Sequence, residues 1–441
     1  MCKNYTMLWL MLGLGIKLQI VASLSISEAI VLGSAPFIFL KNYRQMRRDG
    51  VMTLFLLSLL VIVGCAVSCI ANHTELLYVV RGMATTCLIS CSIIFSHWII
   101  RKDPSGFKWM LVGSAFSSVM STFFFQNAVE LTQTGGDVDL IMSGPLFWIQ
   151  RLGAFVTLPT RGWYIHMPII VNIAAPLSMG IFSILISQSG RAAALTAIAF
   201  VAIALIGGKS RRTMMRMARY FWLICGIGVV GMILSYTAYK TAAMRGWLGE
   251  ESRMKYEVQT DGGSGGVGRL LLGGRGDSFI GLLACRDRPI VGWGPWAIDS
   301  NGYRDEFMMK YGTMEDVLKF YEVQQRQLAR GIAAPVRLIS AHSHITEFWL
   351  WYGIFGLIFW IYVMVVLLRY LHQDCFAVPQ WFAWLACSVP GMFWHIFFSP
   401  FAARIETSMF VVACLMARGV RKGTFKLPFK MSQEIEKTEK R

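Results

Sequence analysis

Apolar runs of roughly 16–24 residues recur along the chain, each about long enough to cross a bilayer core, with polar or basic stretches between them. Twelve such segments are predicted, at 6–23, 26–40, 51–70, 77–100, 108–127, 141–159, 164–187, 191–208, 220–240, 345–369, 381–398 and 404–418. The segment 141–159 carries Gly144, Pro145, Arg151, Gly153 and Pro159, so it reads either as a span or as a re-entrant piece buried in protein. Between 241 and 344 the pattern changes to mixed charge, glycine-rich early and amphipathic later. Within that interval, 304–330 alternates apolar and charged residues at helical spacing, with Phe307, Met308, Val317, Leu318, Tyr321 and Leu328 on one face. The fold expected is an all-α polytopic membrane protein. It has about 12 transmembrane helices and one large extracytoplasmic loop containing short helices. Its parts are an N-terminal bundle at 1–240, the loop at 241–344, C-terminal membrane helices at 345–418 and a cytoplasmic tail at 419–441.

Composition agrees with this pattern. Hydrophobic residues make up 55% of the chain and charged residues 15%; the mean hydropathy is +0.52. A water-soluble domain carries about 25% charged residues. The net charge of +17 could suggest nucleic acid, but its placement argues for a membrane. Lys41, Arg44, Arg47 and Arg48 form one cluster between apolar runs; Arg101, Lys102 and Lys108 form a second. Lys209, Arg211, Arg212, Arg216 and Arg219 form a third, and Arg418, Arg421, Lys422 and Lys426 a fourth. With a cytoplasmic N-terminus, all four clusters fall on the cytoplasmic side, the arrangement expected of polytopic membrane proteins. The ten cysteines include no CxxC and no zinc spacing; most lie inside apolar runs, where a thiol acts as a small hydrophobe.

Three positions draw attention for chemistry. Arg191 follows a short SQSG break, Arg275 lies in GGRGDSF within the large interval, and His342 lies in SAHSHITEF where that interval returns to an apolar run. The predicted topology puts all three near one surface. Guanidinium suits a bidentate grip on phosphate oxygens, and imidazole suits proton transfer near neutral pH. Taken singly, each has a plainer reading: an interfacial snorkelling arginine, a solvated loop arginine and a helix-cap histidine. Two apparent nucleotide motifs fail on context. Gly263, Gly265 and Gly268 match GxGxxG without a preceding strand, and GGKS at 207–210 lacks the upstream glycine of a phosphate loop.

The stretch RPIVGWGPWAIDSNGY at 288–303, followed by AHSHITEFWLWYGIFGLIFW at 341–360, resembles the O-antigen ligase and polymerase superfamily. The resemblance rests on order and spacing. Arg275 is followed by Pro289 to Gly294, then by His342 and Ser343, then by Gly353 and Gly356; SQSGRAAAL and RLGAFVTLP resemble two earlier family segments. Ser-Gly-Arg stands at 189–191 where the family has Ser-Arg-Gly, and Trp351 stands where an acidic residue is common. The resemblance implies a metal-independent, inverting glycosyltransferase of the bacterial inner membrane that needs no cofactor. Its donor would be a glycan on undecaprenyl diphosphate, and its acceptor the lipid A core or another glycan. Arg191, Arg275 and His342 would be catalytic; Arg151, Gly292, Trp293, Gly294 and Ser343 would contact substrate. Within the same superfamily a polysaccharide polymerase is the alternative. From a different class, a flippase for lipid-linked glycans would use interior charges such as Lys17, Arg81 and Arg151.

Overall fold

The computed structural model describes residues 6–106 apart from 15 and 20–22, positions 109, 110, 112–114, 116 and 117, single positions between 174 and 247, and residues 276–311, 338–339 and 341–427 apart from 376, 400, 402 and 403. These residues are mostly helical. Three helices among them are long and apolar enough to cross a membrane: Met52–Ala71, Leu76–Lys102 and Ile354–Asp374. The segments placed at 141–159 and 191–208 lie outside the described residues, as do most positions of 108–127, 164–187 and 220–240.

The first predicted span, 6–23, is not a single helix. Helix α1 covers Thr6–Leu14 and is followed by a small antiparallel hairpin, β1 (Lys17–Gln19) paired with β2 (Ser23–Ser25). The expectation of an all-α chain is corrected to that extent. Gly13 explains the local geometry: the space a Cβ would take there is filled by the Ser27 hydroxyl, which donates to the Leu10 carbonyl. The chain thus turns back tightly onto the start of helix α2, Ile26–Arg48. A capping box opens α2, with the Ser25 hydroxyl accepting from the Glu28 N–H and the Glu28 carboxylate accepting from the Ser25 N–H at 2.9 Å.

Helices α3 (Met52–Ala71) and α4 (Leu76–Lys102) pack on each other and on α2. Lipid is as apolar as leucine, so close packing and interhelical polar bonds must hold such helices together. Ser90 Oγ donates to Ser58 Oγ at 2.8 Å across α3 and α4. At one end of this bundle the buried Asp49 carboxylate meets His97 Nε2 at 2.8 Å and Arg101 Nη1 at 2.6 Å, tying the α2–α3 turn to the end of α4. Arg421 donates to Asp374 at the same end, and the Arg101 guanidinium lies 5.5 Å from the Phe425 ring.

The predicted span 345–369 is also corrected. It is two helices, α7 (His344–Tyr352) and α8 (Ile354–Arg369), that fold back on each other at Gly353. In a straight helix His344 and Trp360 would stand about 24 Å apart. Their rings instead stack at 4.9 Å, and Phe348 meets both Phe359 and Trp360. Gly353 makes the turn possible with φ 63 and ψ −149, at the edge of the region only glycine enters readily. Gly356 lets the Phe348 backbone press against α8. Helices α9 (Pro379–Phe398) and α10 (Arg404–Arg421) complete the described bundle.

A second, smaller core lies against α7. Helix α5 (Gly276–Asp287), the segment 288–302, helix α6 (Tyr303–Tyr311) and residues 338–339 gather Ile280, Ala284, Cys285, Ala297, Tyr303, Ile339 and Leu350 into it. Of the helix expected over 304–330, α6 covers the part as far as Tyr311; the remainder, and with it most of the expected apolar face, lies outside the described residues.

Candidate active site

The two glycine motifs, some sixty residues apart in sequence, interlock. Trp293 N–H donates to the Leu350 carbonyl at 2.6 Å, Ile354 N–H donates to the Ile290 carbonyl at 3.0 Å, and Trp349 Nε1 donates to the Pro289 carbonyl at 2.8 Å. Gly292, with φ +78, lies so close that a Cβ there would stand 2.7 Å from both Gly353 N and Leu350 O. Pro289–Gly294 therefore forms a lid of backbone over the α7–α8 turn. The α3–α4 turn closes this lid from the side. Asn72 Nδ2 donates to the Gly292 carbonyl at 3.1 Å, and Asn72 Oδ1 accepts from Arg288. The Arg288 guanidinium also lies 4.3 Å from the Trp293 ring centroid, within range of a cation–π contact.

His342 stands at the other end of α7 from the Gly353 turn. A short backbone ladder, with Ile339 N–H donating to Ala297 O at 2.8 Å and Ile298 bridged to Leu338, brings the chain up to it. Ser343 then caps α7: its hydroxyl accepts from Thr346 N–H at 3.2 Å and donates to Ile396 O at 2.9 Å. The cap separates the two histidines. His342 precedes the helix and is exposed, whereas His344 is the first helical residue and is buried between Trp360 and Phe401. Helix α5 flanks the same spot, with Gly281 against Ala341 and Thr346.

A polar group rims the site at the end of α5. The Tyr303 hydroxyl donates to Asp287 Oδ2 at 2.8 Å, and Arg286 Nε pairs with Asp287 Oδ1 at 3.1 Å. The hydrogen bond from Tyr303, then that from Arg286, holds the Asp287 carboxyl below its ordinary value. Burial, reinforced by the bond to Asp287, pushes the Tyr303 phenol up to about 12. Asp299 caps α6 by accepting from the Tyr303 and Arg304 N–H groups at 2.8 and 3.0 Å.

Of the residues singled out from the sequence, Arg151, Arg191 and Arg275 lie outside the described residues; α5 begins at Gly276, immediately after Arg275. Gly292, Trp293, Gly294 and Ser343, expected to contact substrate, have their groups engaged in the fold. Trp293 Nε1 donates to Ala284 O at 2.8 Å, Gly294 packs on Thr74, and Ser343 is the cap. Ser343 fixes the start of α7 directly after His342, the other three lie in the segment packed near the Gly353 end of that helix, and Arg288 is exposed beside them. Sequence reasoning passed over Asn72, Arg288, Glu347 and Arg404. For Glu347 and Arg404 a signal existed, because ionisable residues inside apolar segments carry function by default. Among the described residues, no group of three His, Cys, Asp or Glu side chains is placed to hold a metal ion.

Compared with family models, curated proteins and solved structures, the chain matches none.

Proposed function

We propose that this chain is a membrane glycosyltransferase related to the O-antigen ligases, moving a glycan from undecaprenyl diphosphate to an acceptor hydroxyl at the periplasmic face of the bacterial inner membrane. The observation that carries the reading is the exposed His342 just ahead of the Ser343 cap of α7, the helix whose opposite end interlocks with Pro289–Gly294. In this reading His342 lies outside and the basic clusters lie inside. Arg275 and Arg191 hold the diphosphate and stabilise the charge it gains on leaving. The acceptor oxygen attacks the anomeric carbon from the face opposite the diphosphate. Its proton passes to the His342 imidazole, the sugar–diphosphate bond breaks, and undecaprenyl diphosphate departs with inversion of the sugar. Energy comes from the bond broken, so the step needs no nucleotide.

The test is transfer in purified membranes supplied with a lipid-linked donor, together with analysis of surface glycan in a deletion strain. His342→Ala is expected to lower transfer by about a hundred- to ten-thousandfold, the usual contribution of a general base, while His344→Ala loses far less. Arg275→Lys keeps charge but loses the bidentate fork, and is expected to fall by about a hundred- to a thousandfold. A His342→Ala protein that transfers at the parent rate overturns the reading. Unligated polymer in the deletion strain identifies a ligase, single repeats identify a polymerase, and transfer abolished by EDTA and restored by Mg²⁺ overturns the arginine account of the diphosphate.

A further inference from the structure

Beneath His342 lies a buried polar brace. Ser343 and Glu347 are four residues apart at the start of α7, so they share one face, and that face meets the end of α9 and the connection that follows it. Ser343 Oγ donates to Ile396 O at 2.9 Å, and Glu347 Oε2 accepts from Phe401 N–H at 3.0 Å. Ser343 is 0% exposed and Glu347 8%. The Phe401 ring packs edge-on against His344, Phe348 and Trp360 at 5.1, 5.1 and 5.6 Å. Arg404, three residues on from Phe401, pairs with Glu28 of α2 at 3.0 Å and lies within electrostatic reach of Glu347. Its Nε is a buried donor with no partner among the described residues.

Burying a carboxylate here is costly, and a plain helix contact would be served by leucine. What Glu347 adds is direction. Each residue along an α-helix turns the face by about 100°, so a slip of α7 by one position would carry the first turn out of register with Ile396 and Phe401. Two cross-links one turn apart prevent both rotation and sliding. The other faces of α7 are occupied by α8, through His344 and Phe348, and by α5, through Thr346.

We infer that Glu347 is a positioning residue for His342, which it acts on through the Ser343 cap by locking the first turn of α7 to the end of α9 and the connection after it, with Arg404 and Glu28 extending the lock to α2. The inference rests on the reading of His342 as the working base, but its structural half can be tested separately. His342→Cys is introduced into the full chain in membranes, and its rate of labelling by an impermeant maleimide is measured, with the parent chain as blank. Adding Glu347→Ala is expected to change that rate several-fold. Adding Glu347→Gln leaves it near the parent, because the amide oxygen still accepts from Phe401. A cysteine at Ser300 serves as control and should label alike in every background. Should Glu347→Ala fail to reach the membrane, Glu347→Asp, which withdraws the carboxylate by one methylene, carries the same expectation. An unchanged rate in Ala or Asp overturns the inference, as does a Gln variant as displaced as Ala. In the chain with His342 intact, Glu347→Ala is expected to lower kcat several-fold with KM little changed, and Glu347→Gln to restore it. A displaced label together with a fully active His342→Ala protein sinks the proposed function and leaves the brace standing.

Discussion

Tyr303 and Asp287 illustrate what one pair contributes to the rim of the site. The Asp287 carboxyl is held below its ordinary 3.8, so its stabilising effect is present above that pH and is lost as pH falls through the depressed value. Tyr303 behaves in the opposite sense. Raised from 10.0 to about 12, it stabilises the fold below its ordinary value and loses that effect as pH rises toward 12. Burial is the larger cause for Tyr303, so Asp287→Asn is expected to bring its titration part of the way back. The phenolate absorbance of each protein, with the matching Tyr303→Phe spectrum subtracted, measures this; an unmoved titration shows that the bond to Asp287 plays no part. Tyr303→Phe should cost about 0.5–1.5 kcal/mol, the usual net worth of a hydrogen bond. At this same scale the two histidines could be told apart in part from sequence. Ser343 reads as an N-cap, so His344 falls inside the helix and His342 outside it. That His344 would meet Trp360, Phe401 and His395 could not be read locally.

The α7–α8 hairpin is the element on which the candidate site depends, and it is where hydropathy alone misleads. Residues 345–369 look like one apolar span because a fold-back and a crossing helix have the same composition. Gly353 decides between them, since its backbone angles permit a turn that any other residue resists. Gly353→Ala is expected to destabilise the chain by about 1–3 kcal/mol from backbone conformation alone. The new methyl would also collide with the Ile290 carbonyl, adding to that loss. Gly33 of α2 has open space at its Cβ, so Gly33→Ala should instead stabilise by about 0.5–1 kcal/mol. Thermal unfolding in detergent compares the two, and equal Tm values would show that the turn carries no strain.

For the whole molecule, the consequential expectation is sidedness. The basic ends of α2, α4, α8 and α10 share one end of the bundle, joined by Asp49–Arg101 and Arg421–Asp374. The α3–α4 turn and the segment 288–296 share the other. Under the positive-inside pattern the first end is expected to be cytoplasmic. A cysteine at Ser300 should label with an impermeant reagent once the outer membrane is passed, and one at Lys422 only after the inner membrane is opened. The reverse result would put the candidate site on the cytoplasmic side and remove its access to a donor in the outer leaflet.

By itself the sequence determined the helical character, the long apolar helices α3 and α4 and the clustering of basic residues at helix ends. Each of these follows from local pattern: hydropathy over about twenty residues and charge between runs. Tertiary structure decided the rest. It ended α1 at Leu14 and turned the chain at Gly353. It pressed Gly292 against Gly353, and it brought Asn72, Arg288, Glu347, Arg404 and Glu28 around one end of the bundle. The partners of these groups lie from about fifty to nearly four hundred residues away, Glu347 with Phe401 at the near limit and Glu28 with Arg404 at the far one. A contact over such separations leaves no local pattern, because it is fixed by which helix faces pack together rather than by neighbours along the chain.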